Sequence, residues 1–202
     1  MFINTADQYA SLFRGELLPS YEKKTPLDGS TYFAFSKEYE TGSVLFRGKR
    51  YNNVLLNLDA HLDELCIAYP AFSIFICVNK HFVDEFTIGK LRFIHYKQEP
   101  PSLLSNGYYQ VLYAGNVKLY KKIQKIVSYG MSATTLSGYQ LKETFYLWKD
   151  DSWYRINSKK KIIELFPEQK QVINKYVKAT GYSFRKNKEI AILSTIEFID
   201  NL

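Results

Sequence analysis

The chain has only two cysteines, two methionines, two tryptophans and three histidines among its 202 residues. Two cysteines exclude a disulfide-dense scaffold and a four-cysteine zinc site. No stretch approaches 18 apolar residues in a row, so no helix able to cross a membrane is predicted. Met1 to Asp7 show neither a basic start nor an apolar core, so no signal peptide is read there. Glycine patterns that cradle phosphate, a Gly-x-Ser-x-Gly nucleophile elbow, His-Glu-x-x-His and a calcium loop are all missing. No motif calls for a cofactor or a metal. Arginine is scarce late in the chain: only Arg155 and Arg185 follow position 100.

What remains is a folded, strand-rich chain. Apolar residues make up 46% and charged residues 23%, which excludes a disordered tail and a coiled coil. Charge is divided unevenly. Residues 1–100 hold 11 Lys/Arg against 12 Asp/Glu, whereas residues 101–202 hold 16 against 8. The surplus is nearly all lysine, the pattern of a solvated face, and lysine is a poorer reader of bases and phosphates than arginine. Nucleic acid is therefore the disfavoured partner. Cys66 and Cys77 each sit in an apolar run and read as buried thiols, with a disulfide between neighbouring strands left open.

Hydrophobic periodicity supplies the architecture. A short helix is expected at 5–14. From Thr31 the period becomes two, and strands are expected at Thr31–Phe35, Gly42–Arg47, Tyr51–Leu58, Glu64–Tyr69, Phe72–Val78, Glu85–Ile88, Leu91–Tyr96 and Tyr108–Ala114. Gly48-Lys49 marks a hairpin turn, and the short connections predict an uninterrupted meander from 51 to 96. Val117–Val127 reads as a long strand or a short basic helix, with strand favoured, followed by strands at Tyr139–Lys149 and Trp153–Ile156. Helices then close the chain. Ser158 caps Lys159–Phe166, Pro167 opens a helix through Thr180 that Gly181 stops, and a last helix runs over about Asn187–Ile199. Val172, Ile173, Tyr176 and Val177 are expected to be buried in the one, and Ile190, Leu193, Ile196 and Ile199 in the other. The fold class is α+β: an antiparallel, meander-rich sheet system with C-terminal helices packed against it. Residues 1–202 read as one domain, divisible at 97–107 into a meander (31–96) and a part made of hairpins and helices (108–202).

Two constellations could carry function. In an uninterrupted meander, His61, His81 and His95 gather at one rim with Asp63 and Asp84 nearby, the ingredients of a zinc or acid–base site. The plainer reading is unrelated turn residues at a sheet edge. The second constellation is a surface that binds through aromatics and lysines: Lys118, Lys121, Lys122 and Lys125, with Tyr120, Trp148, Trp153 and Tyr154. A protein or glycan partner suits such a surface, and core packing is the competing explanation for its rings. Oligomeric state is left open.

The segment Gly42-Ser43-Val44-Leu45-Phe46-Arg47-Gly48-Lys49-Arg50-Tyr51, with Val54–Asp59 and Asp63-Glu64-Leu65 after it, resembles uncharacterised extracytoplasmic proteins of Bacteroidetes. So do Tyr108–Gly115 with Val117–Lys122, and Lys159–Leu165 before Phe166-Pro167. The resemblance implies residence in the cell envelope, in the periplasm or at the surface, and a leader on the native precursor. It supplies no active site. The expected activity is that of a non-enzymatic envelope binding or structural protein. The alternatives are an enzyme built on the histidine and carboxylate rim and a nucleic-acid binder using the basic half.

Overall fold

A computed structural model describes residues 12, 16–17, 30–34, 38–69, 74–97, 102–129 and 138–202. The helix expected at 5–14 lies outside these residues except for Leu12, which is buried in the core. Among the described residues, eleven strands form one antiparallel sheet, and three helices follow at the C-terminus. The fold is α+β, as the periodicity implies.

The strands are β1 (Glu16–Leu17), β2 (Glu40–Phe46), β3 (Lys49–Asp59), β4 (Glu64–Tyr69), β5 (Ile74–Cys77), β6 (Val83–Ile88), β7 (Leu91–Tyr96), β8 (Gly107–Ala114), β9 (Lys118–Ser128), β10 (Gly138–Lys149) and β11 (Ser152–Ile156). Their spatial order is β1-β5-β4-β3-β2-β6-β7-β8-β9-β10-β11. Arg47-Gly48, one residue earlier than expected, makes the first hairpin turn. Both residues have positive φ (51° and 73°), the geometry whose twist matches the flanking strands. Of the strand expected at Thr31–Phe35, the described residues Thr31–Ala34 form none. Tyr32 forms a single bridge to Asp59, and the chain turns away at Phe33-Ala34.

The meander expected from 51 to 96 is broken between β5 and β6, which are not neighbours. β6 pairs instead with the free edge of β2. Because β3, β5 and β6 all run the same way, a flat sheet would put the end of β5 and the start of β6 at opposite rims. The sheet curls, and the short connection Val78–Phe82 spans the gap. Val78 N–H donates to the Leu65 carbonyl at one end (2.8 Å), and Arg47 N–H to the Phe82 carbonyl at the other (2.9 Å). Curling also carries the β3–β4 turn onto β9, where Lys125 N–H donates to the Ala60 carbonyl at 3.0 Å.

One face of this sheet is buried along its whole width. Around β2–β9 it lines the inside of the curl, where Leu56, Leu65, Phe86, Phe93, Tyr108 and Ile123 form one core. Further along the same face, Leu119, Phe145, Leu147 and Ile156 meet helices α1 (Lys159–Leu165), α2 (Lys170–Thr180) and α3 (Lys188–Asp200). Leu119 and Ile123, four residues apart on β9, share that face because strand side chains alternate.

The helices follow their capping residues. Ser158 Oγ accepts from Lys161 N–H at 3.3 Å, and Gly181 ends α2 with φ 67°. Pro167 does not open α2. Phe166 already caps α1, and Pro167–Gln169 form a turn before the helix begins at Lys170. Two expected core positions also face solvent, Val172 (42% exposed) and Ile190 (51%). The run Ile190–Leu193 is apolar all round, so its pattern could not select the stripe; the sheet selects Ile192, Ile196 and Ile199. Asp200 latches α3 to the β8–β9 turn by accepting from Tyr113 Oη (2.9 Å) and from the N–H groups of Asn116 and Val117 (2.8 and 3.2 Å).

Candidate functional site

The closure of the curl is built on Asp63. Asp59, fully buried, shapes the turn before it by accepting from the N–H groups of His61 and Leu62, both at 2.9 Å. Asp63 follows in the left-handed region (φ 60°), and its carboxylate receives Lys122 Nζ at 2.7 Å and Lys80 Nζ at 2.6 Å. Tyr108 N–H adds a longer contact at 3.3 Å. Lys122 also donates to the Tyr108 carbonyl at 3.0 Å and lies 4.9 Å from the centre of the Tyr109 ring. Burial pulls the Lys122 ammonium below its ordinary pKa, while the Asp63 charge opposes that shift. Gly107 leaves the room this cluster needs: a Cβ there would stand 2.3 Å from the Asp63 carboxylate and 2.5 Å from Lys122 Nζ.

Beside this cluster is a pocket of about 400 Å³, walled by His61 and Asp63 of the turn, Ser105 and Asn106 before β8, and Lys122 and Gln124 of β9. Two ammonium groups, those of Lys80 and Lys122, share the Asp63 carboxylate at its wall. The three histidines reach this end of the molecule through the curl, but their rings take separate partners. His61 Nδ1 meets the Lys125 carbonyl at 2.9 Å, and its ring lies edge-on to Tyr139. His95 Nδ1 donates to the Val83 carbonyl at 2.9 Å, and its Nε2 faces the Asn106 amide at 2.8 Å. His81 is exposed on a 3-10 turn, with its ring edge-on to Phe82. Asp84 pairs at the surface with Lys97. Among the described residues, no three His, Cys, Asp or Glu side chains are grouped as metal ligands.

The basic stretch of β9 is turned inward. Lys121 (8% exposed side chain) bridges Glu143 at 3.1 Å and Glu189 of α3 at 2.6 Å, Lys122 is held by Asp63, and Lys125 is only 2% exposed. Of the four lysines, Lys118 alone is exposed. The aromatic set is divided by the sheet. Tyr154 packs on the helix face, whereas Tyr120, Trp148 and Trp153 lie on the other face.

Among the described residues, no helix packs on that other face. Cross-strand registers place Arg92, Val111, Tyr120, Tyr146 and Arg155 in a single row across β7 to β11. At about 4.8 Å per strand, the two arginines stand about 19 Å apart with the rings between them. Trp148 and Trp153 flank the row with centroids 4.9 Å apart, and Trp153 also touches Tyr120 (5.3 Å) and Tyr96 (5.6 Å). Leu104 and Tyr109 are buried beneath this layer, while Tyr96, Tyr146, Trp148 and Trp153 stay half-buried. Tyr109 Oη donates to the Ser105 carbonyl at 2.9 Å, which ties the aromatic layer to the rim of the pocket.

Reasoning from sequence did not place Arg92, Arg155, Tyr96 or Tyr146 in the binding set. Alternation in Phe145-Tyr146-Leu147-Trp148 pairs Tyr146 with Trp148 on one face, but which strands flank them is fixed only by register. The chain matches no family model, and no curated protein or solved structure is similar to it.

Proposed function

We propose that this chain is a non-enzymatic binding protein of the cell envelope that receives a protein partner on the outer face of β7–β11. The observation that carries the reading is the row Arg92–Val111–Tyr120–Tyr146–Arg155 with Trp148 and Trp153 beside it, on a face that no helix covers among the described residues. Trp, Tyr and Arg are the residues that dominate binding energy at protein interfaces, and lysine is depleted there. The inward lysines of β9 and the outward rings together give that composition. Arg155, exposed at one end, suits a partner with an apolar centre and a carboxylate at its margin, while Arg92 at the other end is held by Glu85 at 2.7 Å. Envelope residence rests on the resemblance of the Gly42–Tyr51 hairpin and of Tyr108–Lys122 to extracytoplasmic proteins.

An enzymatic reading draws less support. The one carboxylate at the pocket wall is neutralised by two lysines, and His95 is engaged at both ring nitrogens. A nucleic-acid reading loses Lys121, Lys122 and Lys125, which are buried.

Both tryptophans of the chain lie in the aromatic cluster, so tryptophan emission reports on this face alone. A photo-crosslinking residue at position 155 should capture a partner in living cells that the same residue at exposed Lys160, on helix α1, does not. The captured protein, once purified, should shift the tryptophan emission and lose at least tenfold in affinity for the Arg155→Glu, Tyr146→Ala double variant. Equal capture at both positions, or unchanged affinity, overturns the reading. Quenching by oligosaccharides with no protein captured would put a glycan in the partner's place. Recovery of the native protein in the cytoplasmic fraction would remove the envelope assignment.

A further inference from the structure

We propose that Cys66 and Cys77 form a cross-strand disulfide that staples β4 to β5. The two residues are direct register partners on these antiparallel strands. Val78 N–H donates to the Leu65 carbonyl one position along, which makes Leu65/Val78 a hydrogen-bonded pair and Cys66/Cys77 the adjoining non-hydrogen-bonded one. Opposed residues at such a site have Cα atoms about 4.5 Å apart, inside the range a disulfide spans. Both cysteines are buried thiols, and Cys66 Sγ donates to the Glu64 carbonyl at 3.7 Å within its own strand. β5 can yield the small closing movement, since its other neighbour, β1, is only two residues long.

The staple acts on the closure of the curl. Asp63 lies three residues before Cys66 and Lys80 three residues after Cys77, and these two residues are themselves joined. The bond would lock together the turn that carries His61 and Asp63 and the connection that carries Lys80.

Closure needs an oxidant, here a protein or glutathione disulfide. One cysteine thiolate attacks a sulfur of that disulfide and releases the first thiolate of the donor. The second cysteine then attacks the mixed disulfide and releases the other. Two protein thiols become one cystine, the donor is reduced to two thiols, and the two protons end on those thiols. The neighbouring Cys77 thiol and burial push the Cys66 thiol upward in pKa, so the exchange runs while β5 is being laid down rather than in the finished sheet. The inference stands apart from the reading of the aromatic face, and shares with envelope residence only the need for a compartment with disulfide donors.

The test is refolding of the full chain in a buffer of oxidised and reduced glutathione, followed by denaturation in N-ethylmaleimide and trypsin digestion. Residues 51–80 form one tryptic peptide holding both cysteines. It should appear two hydrogens light and without maleimide. The oxidised protein should melt roughly 5–10 °C above the same protein in reductant. The Cys66→Ala, Cys77→Val double variant should melt at one temperature in both buffers. Labelling of both cysteines, a disulfide between two chains, or a lower melting temperature on oxidation would each overturn the staple, whatever binds the outer face.

Discussion

Asp63 and Lys122 meet at 2.7 Å where the curled sheet closes, joining the β3–β4 turn to β9 across 59 residues of sequence. The pair is unequal. Lys122 is 7% exposed and pairs with no other carboxylate among the described residues, whereas Asp63 is 20% exposed and also holds Lys80. Asp63→Asn therefore strands a buried ammonium and should cost about 2–4 kcal/mol. Lys122→Met leaves Asp63 with Lys80 and should cost about 1 kcal/mol or less. Urea unfolding of both variants checks the order; equal losses would mean that the carboxylate does not neutralise Lys122.

Gly107 tests the same closure by volume rather than charge. A methyl group there would enter the space between the Asp63 carboxylate and Lys122 Nζ. Lys122 is held on two sides and cannot swing away without losing Asp63 or the Tyr108 carbonyl. Gly107 also has a positive φ of 151°, so Gly107→Ala should cost about 1–3 kcal/mol beyond the backbone strain, by thermal or urea unfolding. Gly48→Ala, at a turn with open space around it, should cost only about 1 kcal/mol, from its positive φ alone.

Much of this was legible in the chain. Alternation located most strands, and Ser158 and Gly181 marked helix ends, because those signals act within a few residues. The curl was not legible. Nothing in Val78–Phe82 says that β6 will pair with β2 instead of β5, since a hairpin loop and a short crossover of this length use similar residues. The lysines of β9 were misleading for a related reason. Lys121 finds Glu143 on the next strand and Glu189 on the last helix, and Lys122 finds Asp63 in a distant turn. A cation reads as solvated until the fold supplies its anion.

Helix α3 offers a test of how the sheet chooses a stripe. Ile192 is fully buried against the sheet, and Ile190, two residues earlier, is 51% exposed. Ile192→Ala should cost about 2–5 kcal/mol through lost burial and the cavity it leaves. Ile190→Ala should stay within about 1 kcal/mol, as alanine also favours the helix. A larger loss at Ile190 than at Ile192 in urea unfolding would mean the helix sits rotated from the arrangement described.

His95 sets the response to acid. Burial, chiefly, and the nearby Lys80 and Lys97 charges lower its pKa from the ordinary 6.5, against the opposing hydrogen bonds to Asn106 and Val83. The folded state therefore holds the proton less tightly than the unfolded chain does. The stability this contributes is fully present above pH 6.5 and is lost as pH falls through the folded value, with a slope of at most about 1.4 kcal/mol per pH unit. Glu85, lowered from 4.5 by Arg50 and Arg92, adds its own loss only below that value. Urea unfolding between pH 7.5 and 5 should show stability falling in the wild type. His95→Gln keeps a polar side chain but cannot titrate, and it should flatten that slope. A slope that survives the substitution would assign the acid response to another group.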